Sequence, residues 1–300
     1  MIYTLTMSPA IDYVMDTPSI KVGAVNRSSG ERIFYGGKGI NVSWVLASLG
    51  IRSTALGFIA GFTGAELERG LTRQGIKCDF CTLSSGATRI NVKLKSSDVT
   101  EINGAGPSIG DGDIACLLAK LDLLTEGDFL VIAGSIPPTL PRDTYETLLQ
   151  HLDGRGIKFV VDATGELLLK TLKYRPYLIK PNYDELCEIM GKPSLTDDEV
   201  QDGAVMLQNE GARNVMITLG GKGAVLFDEN GVFHKRDAFN IVPVNTVGAG
   251  DSTIAGFLAK AVGGCADFDE ILRFACAAGA ATASAEGLAT AEMVERVLGR

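Results

Sequence analysis

Strand-length runs of unbroken apolar residues, separated by amphipathic helix-length segments, constrain this chain more than any other feature. The runs are IYTLTM (2–7), STALGFI (53–59), DFLVIAG (128–134), IKFVVDA (157–163), YLIK (177–180) and NVMITLG (214–220). Several are apolar at successive rather than alternate positions, the pattern of strands covered on both faces. Between them lie INVSWVLASLG, TGAELERGLTRQG, IACLLAKLDLL, TYETLLQHLDGRG and DEVQDGAVMLQNEG, mostly ending in glycine. Glycine tolerates the left-handed turn that follows a helix. This alternation predicts an α/β fold: a doubly wound, mostly parallel sheet with helices on both faces.

Two segments break the rhythm, at about 12–35 and 88–102. Both alternate apolar and polar residues, as antiparallel strands with one wet face do. Neither joins a parallel sheet easily, so together they predict a small β-sheet lid, inserted twice into a single domain spanning 1–300. No linker, repeat or low-complexity stretch divides the chain. In TRINVKL (88–94), Arg89, Asn91 and Lys93 share one face of a strand. They are a solvated face or a clamp over an anion, and residue type alone favours the former.

Charge narrows the partners. The sequence has 28 Lys and Arg against 36 Asp and Glu, a net charge of −8, with no basic block. That argues against nucleic acid and anionic membrane as partners, but not against a small phosphorylated ligand. The N-terminus lacks the pattern of a signal peptide, and no run approaches the ~18 apolar residues of a membrane span. Six cysteines are scattered, with one C-x-x-C at Cys78 and Cys81 and no second pair to complete a zinc site. Free thiols and a reducing compartment, most simply the cytoplasm, are expected.

Four strand exits and one further helix start carry polar or glycine-rich sequence. In NTVGAGDSTIAGF (245–257), Gly248, Ala249 and Gly250 leave backbone N–H groups uncovered at a helix N-terminus, which suits an anion. Asp251 beside them is either a helix residue favoured by the dipole or a base acting on the anion's partner. FYGGKGINVSW (34–44) is neither a Walker loop nor a dinucleotide fingerprint, and GDGDIA (110–115) has no strand before it. Gly37, Lys38 and Asn41 read as a loop admitting a polyol to the backbone, or as an ordinary loop-to-helix junction. LIKPNYDEL (178–186) brings Lys180, Asn182 and Glu185 to a strand's carboxyl end, where Pro181 and Asn182 also suit a helix start. TLGGKGA (218–224) and AGSIPP (133–138) are further glycine-rich or small-residue exits. Such exits face one crevice in an open α/β sheet and can hold a nucleotide on backbone amides. His151 and His234 stand alone and are not expected to be catalytic.

TLTMSPAID, GGKGINV, TRINVKL, AGSIPP, VVDATGE, IKPNYDE, TLGGKGA and TVGAGD, in this order, resemble the phosphofructokinase-B branch of the ribokinase superfamily. The resemblance implies a ribokinase-like fold and an ATP-dependent, Mg²⁺-requiring sugar-phosphate kinase. GGKG followed by TRINVK looks most like the hexose-phosphate kinases, above all those converting fructose 1-phosphate to fructose 1,6-bisphosphate. Rivals are family kinases for tagatose 6-phosphate and fructose 6-phosphate, or a non-catalytic sugar-phosphate-binding regulator.

By the same resemblance Asp251 is the general base, kept ionised by its helix dipole, and the amides of 248–251 form the anion hole. Asp12, Gly37, Lys38 and Asn41 hold the sugar. Arg89 meets the substrate phosphate, with Asn91 beside it. Thr218, Gly220 and Gly223 lie under ATP. Asn182 and Glu185 organise Mg²⁺ and the nucleotide phosphates, Glu185 through water. One departure is Met7-Ser8-Pro9, where members carry Leu-Asn-Pro. A two-segment lid with exposed edges and one apolar face further predicts a homodimer through the lid.

Overall fold

The computed structural model describes residues 1–299. The chain opens on β1 (Ile2–Thr6) and leaves the main sheet for β2 (Ala10–Asp16) and β3 (Gly30–Gly36). Helix α1 (Lys38–Ser48) returns it to β4 (Ser53–Ala60), and α2 (Gly61–Arg73) leads to the short β5 (Lys77–Cys78) and β6 (Cys81–Leu83). A second excursion forms β7 (Arg89–Lys95) and β8 (Val99–Asn103). From α3 (Asp111–Leu121) the chain runs through β9 (Phe129–Ala133), α4 (Thr144–Leu152), β10 (Lys158–Asp162) and α5 (Gly165–Leu169). It continues as β11 (Leu178–Ile179), α6 (Tyr183–Met190), α7 (Asp197–Asn209) and β12 (Asn214–Thr218). Then β13 (Ala224–Phe227) and β14 (Phe233–Arg236) precede α8 (Ala249–Val262), α9 (Phe268–Ala283) and α10 (Ala291–Leu298).

The main sheet has the order β14-β13-β12-β11-β10-β9-β1-β4-β5, with β6 also on β4. It is parallel except at β13, which pairs antiparallel with both β12 and β14. The turn at Gly220–Lys222 is too short for a parallel crossover, so β13 must run back along β12. The apolar runs divide face by face. Leu5, Ile132, Val161, Ile179 and Val215 pack with α3, α4, α6 and α7. Their neighbours Ile2, Val131, Val160, Leu178 and Met216 pack with α1, α8 and α9. Both faces are dry, which is why the strands do not alternate in polarity.

Both irregular segments form the second sheet, of order β3-β2-β7-β8, beginning at Ala10 and ending at Asn103. Its central pair corrects the antiparallel expectation: β2 and β7 are parallel, with Asp12 opposite Asn91. β4 and β9 lie on opposite sides of β1, so the direction of winding reverses there. A crevice opens outside the carboxyl ends of strands at such a reversal.

Candidate active site

A cavity of about 460 Å³ occupies that crevice. Thr6, Met7 and Ser8 at the end of β1, and Ala133, Gly134 and Ser135 at the end of β9, line it. Asp12, Arg89 and Asn91 reach it from the small sheet, Gly37, Lys38 and Asn41 from the start of α1, and Gly248, Gly250 and Asp251 from α8.

Gly248 turns the chain into α8 at φ +81°, and a Cβ there would come within 2.5 Å of Leu288. Glycine takes that left-handed φ without strain, and any side chain there would also displace the Leu288 methyl. Of the four amides expected to form the anion hole, that of Ala249 is committed to the Thr246 carbonyl at 3.2 Å. Those of Gly250 and Asp251 donate to no protein acceptor among the described residues. Asp251 is buried, and Asn41 Nδ2 donates to its Oδ2 at 2.7 Å. Asn41 therefore orients the carboxylate, a role the sequence did not suggest.

The helix dipole does not dominate Asp251. Burial, then the negative charge of Asp162, lift its pKa from 3.8 to about 6, against the pull of Asn41, Lys38 and Lys180. The group is still mostly ionised at neutral pH.

Asp162, at the end of β10, is the residue sequence reasoning missed. Its buried carboxylate pairs with Lys38 Nζ at 3.0 Å and with the buried Lys180 Nζ at 3.2 Å. Burial alone would raise its pKa, but Lys180 and then Lys38 hold it below the ordinary range. Burial likewise opposes the charge of Lys38, and Asp162 more than restores it. One carboxylate between two ammonium groups leaves that trio with one positive charge in excess, beside the carboxylates of Asp12, Glu185 and Asp251 in the same cavity. Gly250 makes room for the trio, since a Cβ there would stand 3.1 Å from Lys180 Nζ. The available signal was VVD itself: a carboxylate ending a buried run needs a cation.

On the small sheet, Asp12 Oδ1 accepts from Asn91 Nδ2 at 2.7 Å, and Lys93 Nζ lies 3.5 Å from Asp12 Oδ2. The face shared by Arg89, Asn91 and Lys93 is therefore not simply solvated. Arg89 is half-buried and makes no ion pair among the described residues; its Nε, like Asn91 Oδ1, is buried without a partner. Burial lowers the Arg89 pKa, with Asp12 opposing weakly. An unneutralised guanidinium in a cavity awaits an anion.

A second cleft of about 1020 Å³ adjoins the first and shares Asn182, Thr218 and Gly250 with it. Gly220, Gly223 and Ala249 line it with apolar walls that include Leu219, Phe239 and Ile241. Asn182 caps α6 in a reciprocal box: its Oδ1 accepts from the Glu185 N–H at 2.9 Å, and Glu185 Oε2 from the Asn182 N–H at 2.8 Å. Among the described residues no cluster of three or more His, Cys, Asp or Glu could cage a metal. Mg²⁺ usually rides on substrate phosphates with one or two carboxylates, so Glu185 alone fits such an ion. The histidines lie elsewhere: His151 bonds Asp122, and His234 sits between Asp228 and Asp269.

The family model of the pfkB carbohydrate kinases matches residues 2–294. The chain belongs to this family. It is 42% identical to the 1-phosphofructokinase of Bacillus subtilis, over 99% of this chain and 97% of the relative. It is 37% identical to the D-tagatose-1-phosphate kinase of Bacillus licheniformis, over 96% of this chain and 94% of the relative. The crystal structure of Escherichia coli phosphofructokinase-2 in complex with substrates and products superimposes with a TM-score of 0.92 at 28% identity, covering 99% and 98% of the two chains. The architecture, with its separate small sheet, is ribokinase-like, as the motifs implied. No helix among the described residues is long and apolar enough to cross a membrane.

Proposed function

We propose that the protein transfers the γ-phosphoryl group of ATP to the 6-hydroxyl of fructose 1-phosphate, giving fructose 1,6-bisphosphate and ADP. The observation that carries this reading is the unpaired, half-buried Arg89 in the same cavity as Asp251. A substrate with a phosphate at one end and a primary hydroxyl at the other suits that pair. ATP suits the adjoining cleft, with its base against the apolar walls and its phosphates toward Gly250.

The chemistry follows from the residues. Asn41 occupies Asp251 Oδ2, which leaves Oδ1 to accept the proton of the attacking hydroxyl. A bond forms from the sugar oxygen to the γ-phosphorus as the bond to the β-phosphate bridge breaks, and the proton stays on Asp251. A base of pKa about 6 is ionised enough to work at neutral pH and basic enough to help. The uncommitted amides of Gly250 and Asp251, with Lys38 and Lys180, answer the charge on the transferring oxygens. Mg²⁺ would add charge compensation, and Glu185 is the residue to hold its water shell. Asp12, Gly37, Asn91 and Ser8 would position the sugar.

A ketohexofuranose carries a CH₂O arm at each side of its ring oxygen, so a 1-phosphate and a 6-phosphate can offer the same ends to Arg89 and Asp251. Similarity to a 1-phosphofructokinase favours the 1-phosphate, and the tagatose-1-phosphate relative makes tagatose 1-phosphate the second reading. It replaces tagatose 6-phosphate as the closest rival. The deciding experiment compares kcat/KM for the 1- and 6-phosphates of fructose and tagatose at saturating MgATP. Preference for fructose 1-phosphate is expected; preference for a 6-phosphate would overturn the orientation, and absence of ADP release with all four would point to a regulator.

The dimer is also a proposal. Ile33, Ile90 and Ile102, on one face of the small sheet, are exposed, and a second copy laid against them would cover them.

A further inference from the structure

The C-x-x-C at Cys78 and Cys81 suggests one thiol pair, but the structure brings together another. Cys81 on β6 and Cys116 on α3 have their sulfurs 2.6 Å apart, while Cys78 Sγ meets the Ile76 carbonyl, at 3.7 Å, and the Thr72 side chain. The two thiols differ in access: Cys81 is buried and Cys116 exposed. Lys120, one helical turn beyond Cys116, adds a cation held by Asp79 at 2.5 Å. Thiolate is the reactive form of cysteine.

The position of the pair matters. β6 is the last strand before the second excursion, and α3 is the first helix after it. A bond from Cys81 to Cys116 would close a ring of chain containing β7 and β8, and with them Arg89 and Asn91. Neither cysteine lines the substrate cavity or the adjoining cleft.

We propose that Cys81 and Cys116 form a reversible disulfide that clasps the root of the small sheet under peroxide stress. The exposed Cys116 thiolate attacks a peroxide oxygen, giving a sulfenic acid and releasing water once the leaving oxygen takes a proton. Cys81 sulfur then attacks Cys116 sulfur and expels the second oxygen as water. Two thiols lose two electrons, one peroxide gains them, and a dithiol reductant reverses the change. Burial and the neighbouring Cys116 push the Cys81 thiol up to about 12, so Cys81 gives up its proton as it attacks.

The test treats the folded protein with hydrogen peroxide, quenches it, and maps peptides without reduction. A Cys81–Cys116 link is expected in the wild type and in Cys78→Ser, and neither in Cys116→Ser nor in Cys81→Ser. Oxidation should raise the unfolding midpoint by several degrees, since ring closure restricts the unfolded chain. It should also slow amide exchange across β7 and β8, and dithiothreitol should reverse both. A Cys78–Cys81 link, or Cys116 halted as sulfenic or sulfinic acid with Cys81 still free, overturns the pairing. A correct link that leaves midpoint and exchange unmoved overturns the clasp. The exposed Cys116→Ser variant keeps its basal activity and remains folded, so its failure to cross-link is interpretable.

Discussion

Replacing Asp251 by asparagine should remove most turnover and, at neutral pH, make the protein more stable. Burial and Asp162 hold the Asp251 pKa at about 6 instead of 3.8. At about 1.4 kcal/mol per tenfold, keeping that carboxylate ionised in the fold costs up to about 3 kcal/mol. The sign follows from linkage. A group whose folded pKa is raised favours the fold when protonated, and that advantage is lost as pH rises through the folded value. Below about pH 4 wild type and variant should therefore be nearly equal. Their difference should open between about 4 and about 6 and reach its plateau above that. Asparagine cannot ionise and its carbonyl can still accept from Asn41, so the variant escapes the penalty. Urea denaturation of both proteins at pH 4, 5 and 7.5 measures the gap. The kcat of the variant should fall by about 10²–10⁴-fold, and wild-type kcat/KM should rise to its plateau with an apparent pKa of about 6. A variant no more stable than wild type at pH 7.5, or a gap independent of pH, would refute the burial argument. A kcat above about a tenth of wild type would remove Asp251 as base.

Asp162→Asn leaves Lys38 and Lys180 without their counter-charge and should cost about 3–5 kcal/mol in stability. In the fraction that folds, the acid limb of kcat/KM should move below about 6, because Asp162 helps to raise Asp251; an unmoved limb would disconnect the two carboxylates. Arg89→Lys keeps charge but loses the two-point fork, so KM for the sugar phosphate should rise far more than KM for ATP. Equal changes would return Arg89 to the surface. Sedimentation velocity at micromolar protein should show a homodimer, and a monomer with and without substrate would exclude pairing through the small sheet.

The main sheet was readable because both its faces are dry: IYTLTM, DFLVIAG and IKFVVDA could not be half-wet strands. The two excursions were readable by contrast, through their alternation. The parallel pairing of β2 and β7 was not, because alternation reports which face is wet and says nothing of strand direction. Gly248 and Gly250 marked the N-terminus of α8 because glycines there have little other use. The state of Asp251 was hidden for a physical reason. A dipole argument considers only the helix that carries the residue, whereas its pKa is set by burial and by Asp162 from a distant strand. The contact of Asn41 with Asp251 was hidden for the same reason: nothing local reveals that its amide faces that carboxylate.

Asn182 and Glu185 show why structural and chemical readings of a residue need not compete. The capping box uses one Glu185 oxygen, the Asn182 amide oxygen and both backbone N–H groups. It leaves the other Glu185 oxygen and the Asn182 side-chain NH₂ free of the box; Glu185 lines the first cavity and Asn182 lines both. The bonds that start α6 thus fix the orientation of the atoms that remain, without further side chains to support them. The same economy appears at Asp162, whose two oxygens hold Lys38 and Lys180 while its charge raises the basicity of Asp251. Sites built this way place their chemistry on atoms left over from folding, on rigid strand ends and helix starts. A phosphoryl donor and acceptor meeting at Gly250 would then find their partners already aligned.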